Sequence, residues 1–275
     1  MADPINLSSS VRTNLLTLQR TSGFIADTQT RLSTGLRVNT ALDDAAAFFT
    51  AKGLSDNATD FDALKSNIDL AISTIQTAID GIDAISELVN QAKGLASNAK
   101  ATGNTNERST LAVQFNELLS QINTIANDSS FNGTNLLQAT PDNLAVEFNT
   151  DNTSNLTITG LDSTTATSGI NIAVAANNFG LNANIDTALT AISSALTTLR
   201  SNASTMGSRN TILSTRLEFT ENLVNTLEGG TGKLTLADLN EESANLLALQ
   251  TRQQLGINSL ALAAQSERSI LALFG

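Results

Sequence analysis

Apolar residues recur every three or four positions along almost the whole of this 275-residue chain. Because a 3.5-residue period keeps one side of a helix against a partner helix, this pattern predicts long coiled-coil helices. Three registers follow the period: Phe61, Leu64, Ile68, Ala71, Ile75, Ala78, Ile82, Ile85 and Val89; Leu111, Phe115, Leu118, Ile122 and Ile125; and Ile185, Leu189, Ile192, Leu196, Leu199, Ala203, Met206, Leu213, Leu217, Val224 and Leu227. Polar Asn210 and Thr220 occupy two positions of the third register.

Both ends of the chain carry the same pattern. Near the start the register is Val11, Leu15, Leu18, Ile25, Leu32 and Leu36, and a last helix from about Leu236 carries Leu239, Leu246, Leu249, Ile257, Leu260, Ala264, Leu271 and Phe274. A pair of helices buries only part of an apolar stripe. We therefore expect the two end helices to pair with each other and their remaining apolar surface to be covered by other copies of the chain.

Prolines and glycines mark where these helices are expected to stop. The two prolines, Pro4 and Pro141, lie at boundaries, so long helices are allowed elsewhere. Gly35 predicts a break or tight turn, and Asp43 or Asp44 could cap the helix that follows. The heptad helix is predicted from about 61 to 100, a second helix to about 127, and a turn at 128–133.

The pattern changes in the middle of the chain. From about 140 to 180, residues alternate with period two around Leu144, Val146 and Phe148, around Leu156 and Ile158, and around Ile170, Ile172 and Val174. This predicts a small β region with three strands. A long helix from about 185 to 227 is expected to end at the glycine-rich segment 228–233. The fold class is therefore mainly α, a long coiled-coil helical hairpin with a small central β region.

Composition argues against several functions. The net charge of −11 disfavours nucleic acid and anionic membranes as partners. No apolar run reaches the length of a transmembrane helix, and the N-terminus lacks a secretory signal peptide, so an extracellular location would need export without cleavage. The absence of His and Cys removes the usual general base, thiol nucleophile and metal ligands. We expect no enzyme activity, cofactor or metal.

Several ordered motifs make the chain resemble bacterial flagellin along nearly its whole length. They are the segment RLSTGLRVN at 31–39, the acidic pair Asp43-Asp44, the turn at 131–133, and the C-terminal stretch LLALQTRQQLGINSLALAAQSERSILALFG. The last of these is similar to short flagellins of alphaproteobacterial type. The final residue, Gly275, departs from the Arg with which the family often ends.

The resemblance implies a filament-forming structural protein with two helical domains. D0, a terminal coiled coil at the filament core, corresponds to 1–44 plus 234–275; D1 corresponds to 45–139 plus 181–233; and 140–180 is the β insertion, with the larger outer domains absent. The implied partners are other copies of the chain, the type III export apparatus and its chaperone, the filament cap and hook-associated proteins. The implied location is the extracellular flagellar filament, which drives swimming.

The residues expected at subunit contacts lie in the end helices and in RLSTGLRVN, where Arg31 and Arg37 are expected to pair with carboxylates of other copies. The full set is Val11, Leu15, Leu18, Ile25, Arg31, Leu32, Gly35, Leu36, Arg37, Asn39, Leu246, Leu249, Ile257, Leu260, Leu271 and Phe274. Two alternatives remain at this point. A hook–filament junction protein shares the terminal helices, and a type III secretion translocator would insert helices into a membrane.

The family's binding site for the vertebrate innate receptor is altered in this chain. Receptor-binding flagellins present an Arg and, one turn on, a Leu on the first D1 helix, and an acidic residue on the second. The Leu is kept as Leu95, but the Arg position is Gln91 and the acidic position is Gln114. Because two charges become neutral amides, we predict weak or no receptor activation.

Overall fold

The computed structural model describes residues 9–274, apart from a few side chains near both ends. Five α-helices dominate these residues: α1 (Ser9–Thr34), α2 (Ala45–Ala101), α3 (Thr105–Asp128), α4 (Asn182–Thr235) and α5 (Leu239–Phe274). A short 3₁₀ turn, Ala176–Phe179, precedes α4. The predicted mainly α fold class with a small β region is confirmed.

The chain divides into two compact units. The first combines the described residues up to Asn57 with those from Thr226 onward, and the second comprises Ala58–Asn225. Within the first unit, α1 packs against α5, so the two end helices pair as expected. The D0 and D1 limits given above remain a prediction.

The heptad registers of α2, α3 and α4 form one buried core in the second unit. Residues such as Ile75 and Ile82 of α2, Phe115 and Ile122 of α3, and Ile192 of α4 are fully buried in it. The ring of Phe179 adds an edge-to-face contact with Phe115, with ring centres 5.2 Å apart. The 3.5-residue period therefore marks the buried face of each helix.

Side-chain caps define the starts of two helices. The Oδ1 atom of Asp44 accepts a hydrogen bond from the Ala47 amide at 3.0 Å, so α2 begins at Ala45, well before the position near 61 expected from its register. Asn104 Oδ1 caps α3 by accepting from the Asn106 amide at 3.0 Å.

The β region consists of two antiparallel hairpins. Strands β1 (Ser130–Phe131) and β2 (Thr134–Asn135) flank a turn in which Asn132 and Gly133 have φ of 49° and 81°. Positive φ at both positions fits the Asn-Gly type I′ turn. Strands β3 (Asn143–Glu147) and β4 (Asn155–Thr159) form where the alternation predicted two strands, and they pair with Leu144 opposite Ile158 and Val146 opposite Leu156.

The third predicted strand, around Ile170, Ile172 and Val174, is wrong. The amides of Ile170 and Ile172 donate to the carbonyls of Thr164 and Thr165, which form part of the preceding turn. Ile170 and Ile172 are buried, whereas Val174 is exposed. The alternation therefore records which side chains enter the core from an irregular loop and does not record a sheet.

The helix break predicted at the glycine-rich segment 228–233 is also wrong, because α4 continues through it to Thr235. A Cβ added at Gly230 would lie 3.3 Å from Leu54 Cδ1, and Thr231 Oγ1 donates to the Ala51 carbonyl at 3.4 Å. The small residues thus let α4 approach α2 closely. This packing outweighs the cost of about 1 kcal/mol that each glycine imposes on a helix.

Candidate subunit-contact surfaces

The segment between α1 and α2 is fixed to the end of α4 and to the short linker between α4 and α5. Gly35, with φ of 72°, ends α1, because a left-handed conformation suits glycine best. The amides of Arg37 and Val38 both donate to the Thr235 carbonyl, and the Ala237 amide donates to the Gly35 carbonyl at 3.0 Å. Backbone hydrogen bonds therefore hold the segment after α1 against the segment after α4.

Asp43 organises the rest of this segment. Its Oδ2 atom accepts hydrogen bonds from the Thr40 amide at 2.8 Å, the Asn39 amide at 3.0 Å and the Thr40 hydroxyl at 3.1 Å. The bond from the Thr40 amide, followed by that from the Asn39 amide, lowers the pKa of Asp43 below its usual value, because these donors favour the ionised form. The neighbouring Leu42 side chain is 97% exposed on this ordered turn.

Arg31 and Arg37 both have partners within their own chain. The Arg31 guanidinium donates to the buried carboxylate of Glu242 at 3.2 Å. Arg37 Nη2 donates to the Leu234 carbonyl at 2.9 Å. Within one copy, Arg31 pairs with a carboxylate of α5, and Arg37 binds a backbone carbonyl. The expected pairing of these arginines with carboxylates of other copies stays a prediction.

The other residues expected at subunit contacts differ in exposure. Val11 is buried, and Leu18 lies against Gly256, where an added Cβ would be 3.1 Å from Leu18 Cδ1. The half-buried members are Ile25, Leu32, Gly35, Leu36, Leu246, Leu249 and Leu260, while Leu15, Asn39 and Ile257 are exposed. The side chains of Leu271 and Phe274 lie outside the described residues. Much of this set is already covered within one copy.

A second apolar stripe on α5 was missed in the sequence. It consists of Leu247, Leu255 and Leu262, which are 67%, 63% and 68% exposed, and we call it the outer leucine stripe. Spacings of eight and seven residues place these leucines on one side of the helix, opposite Leu246, Leu249 and Leu260. Leu16 and Phe24 are likewise exposed on α1. The sequence already showed this stripe, because apolar residues of α5 recur on more than one side of the helix.

Gln91 and Gln114, the two altered receptor positions, line the same groove between α2 and α3. The groove has a volume of about 620 Å³, and Leu95 and Leu118 supply apolar surface to it. Both glutamines are exposed. The structure therefore brings together the positions that the resemblance pairs.

Neither a metal-binding cluster nor a membrane-spanning helix occurs in the part of the chain that the structure describes. No cluster of three or more potential metal-ligating side chains occurs between residues 9 and 274. Among the described helices, none has the length and apolar character needed to cross a membrane.

Comparisons with known proteins show the family to which this chain belongs. Residues 5–142 match the family model of the bacterial flagellin N-terminal helical region, and residues 189–274 match that of the C-terminal helical region. The chain is 35% identical to flagellin FljM of Caulobacter vibrioides, covering 98% of each chain, and 31% identical to a flagellin of Brucella melitensis, covering 97% of each. A crystal structure of Bacillus cereus flagellin aligns with 56% of this chain and 88% of its own, at 21% identity and a TM-score of 0.49. The chain therefore belongs to the bacterial flagellin family, a structural protein family, and is a structural subunit of the flagellar filament.

Proposed function

We propose that copies of this chain pack into the filament chiefly through the outer leucine stripe of α5 and the exposed apolar side chains of α1. The observation that carries this proposal is that α5 is apolar on two opposite sides. Within the described residues, α1 covers one of these sides, and the outer leucine stripe faces solvent. A helix that is apolar all round is normally buried. In a filament, neighbouring copies of the chain can bury this second apolar side of α5.

The energetics favour this contact. Burying an exposed leucine side chain contributes about 1.5–3 kcal/mol, so three leucines that are mostly exposed contribute roughly 3–6 kcal/mol per copy. Association costs translational and rotational freedom, which offsets part of this gain. Exposed apolar side chains grouped on one side of a helix are a feature of protein interfaces. Leu15 and Ile257, two exposed members of the predicted contact set, lie on other sides of α1 and α5 and are further candidate contacts.

The proposed arrangement follows the domain limits expected from the sequence. D0, at 1–44 with 234–275, would line the core of the filament, and D1, at 45–139 with 181–233, would surround it. The β insertion at 140–180 would face outward. This division is supported by the packing of α1 on α5 and by the single buried core that α2, α3 and α4 share.

The proposed partners follow from membership of the family. They are the type III export apparatus and its chaperone, which deliver the chain unfolded, and the filament cap and hook-associated proteins. The filament would lie outside the cell, where a motor at its base rotates it and its helical shape converts torque into thrust.

Paired substitutions test the outer leucine stripe. In one variant, Leu247→Asn and Leu255→Asn remove two stripe residues. The matched control carries Val174→Asn and Leu181→Asn, which alter equally exposed apolar side chains outside α1 and α5. The measurement is the monomer concentration in equilibrium with seeded filaments. We expect the stripe variant to raise it at least about tenfold, which corresponds to 1.4 kcal/mol, and the control to change it little. Equal effects of both variants would refute the proposed contact.

A further inference from the structure

Within the second unit, one side of α4 carries a mixed basic and apolar surface. Arg209, Ile212, Arg216 and Phe219 recur at spacings of three and four residues, so they lie on one side of the helix, and we call them the arginine ridge. Ile212 is 40% exposed and Phe219 is 59% exposed. The Arg216 guanidinium carbon lies 4.9 Å from the centre of the Phe148 ring, which holds this side chain against the second hairpin.

The two arginines of the ridge form no ion pair with a described carboxylate. No carboxylate oxygen of a described Asp or Glu lies within 4.0 Å of a guanidinium nitrogen of Arg209 or Arg216, whereas Arg31 and Lys100 each form an ion pair. A guanidinium stacked on a ring keeps its N–H groups available for a carboxylate. Arginines and aromatic residues are also the side chains that protein interfaces favour. The ridge therefore has the composition of an interface.

The solvent side of α2 provides a complementary surface. Asp80, Asp83 and Glu87 are exposed on one side of this helix, and none of the three forms an ion pair with a described residue. We call them the acidic face. Asp80 and Glu87 are separated by seven residues, as are Arg209 and Arg216, which is about 10.5 Å along a helix. The charges of the two surfaces can therefore meet in register.

The charge of the second unit limits which of its surfaces can meet. Residues 58–225 contain more than twice as many acidic as basic residues. Most contacts between two such units would bring like charges together and be disfavoured. A contact that sets the arginine ridge against carboxylates is attractive, and it also covers Ile212 and Phe219.

We propose that the arginine ridge of one copy docks on the acidic face of a second copy in the filament. This inference rests on the filament assembly proposed above and adds a second contact, separate from the outer leucine stripe. The contact joins two different surfaces, so it does not close on itself in a pair. Repeated contacts of this kind generate open helical arrays.

Charge reversal tests the docking. The variant Arg209→Glu with Arg216→Glu makes the ridge acidic, and the measurement is again the monomer concentration in equilibrium with seeded filaments. We expect an increase of at least about tenfold over the unmodified chain, or 1.4 kcal/mol. Arg209→Glu alone should give part of this increase, and it leaves the Arg216–Phe148 contact intact. The control for Arg209→Glu alone is Arg200→Glu, which makes the same single charge reversal on the opposite side of α4 and should have little effect.

A mixing experiment shows whether the contact joins two copies. The variant Asp80→Lys with Glu87→Lys makes the acidic face basic and should assemble as poorly as the reversed ridge. An equimolar mixture of the two variants should recover growth to within about threefold of the unmodified chain, because each reversed surface then meets its complement. Circular dichroism of each monomer checks that the helices are retained.

The outcomes separate this docking from the filament proposal itself. If the unmodified chain grows but the reversed ridge behaves as Arg200→Glu does, or the mixture fails to recover, the docking is refuted and the leucine contact stands. If the unmodified chain does not extend filament seeds, both proposals fail.

Discussion

Gly81 and Gly94 lie on the same helix, α2, but in different surroundings. A Cβ added at Gly81 would lie 2.8 Å from Leu137 Cδ1 and would also collide with the Ser129 hydroxyl, whereas one at Gly94 would meet nothing within 4 Å. We therefore expect Gly81→Ala to destabilise the monomer by about 1–3 kcal/mol through overpacking. Gly94→Ala should stabilise it by up to about 1 kcal/mol through helix propensity. Urea unfolding of both variants measures this, and a stabilising Gly81→Ala would contradict the packing described.

Asp43 gives the turn before α2 a dependence on pH. The pKa of this carboxyl is lowered in the folded chain, so its contribution is fully present above its unfolded pKa of about 3.9 and is lost as the pH falls through the lower folded value. We expect hydrogen exchange at the Thr40 amide to show extra opening of the turn only below about pH 4.

Asp43→Asn provides the control for this pH dependence. The variant should open the turn already at neutral pH and remove the acid-induced step, because its side chain carries no charge to lose. The same acid-induced step in the variant would assign the effect to another carboxylate.

At the scale of elements, the pairing of α1 with α5 depends on Arg31 and Glu242. Glu242 is buried, so removing its partner leaves a carboxylate that lacks its ion pair. We expect Arg31→Ala to speed amide hydrogen exchange along α1, by an amount corresponding to about 1–3 kcal/mol. Glu242→Gln should have a smaller effect, because a neutral side chain is left in the buried position. If Glu242→Gln accelerated hydrogen exchange more than Arg31→Ala does, the ion pair with Arg31 would not be what stabilises the packing of α1 on α5.

The registers of the helices could be read from the sequence because apolar periodicity reports directly which face is buried. The predicted helix break at Gly229 to Lys233 was wrong because the prediction considered only the low helix propensity of glycine. The close approach of Gly230 to Leu54, which favours the helix, depends on residues far apart in sequence. The strand predicted around Ile170 and Ile172 was wrong because burial can alternate along an irregular loop as it does along a strand. The internal partners of Arg31 and Arg37 were missed because the sequence does not show which carboxylate or carbonyl lies beside them.

At the scale of the whole molecule, the receptor prediction combines the resemblance with the groove between α2 and α3. Gln91 and Gln114 line this groove with Leu95, so a receptor reaching it meets amides in place of an arginine and a carboxylate. We expect a weak or absent response in receptor-reporter cells. Gln91→Arg with Gln114→Glu should raise the response by about tenfold or more, since charge-assisted hydrogen bonds are restored. A strong response to the unmodified chain would contradict this prediction.

The central claim is that this chain polymerises and that its C-terminal helix supplies contacts between copies. Seeded growth followed by negative-stain electron microscopy tests it most directly, with the full chain beside a variant that ends before Leu236. We predict long, uniform filaments from the full chain only, because the variant lacks α5 and with it the outer leucine stripe. Filament growth from the shortened variant, or a full chain that stays monomeric beside competent seeds, would contradict the account.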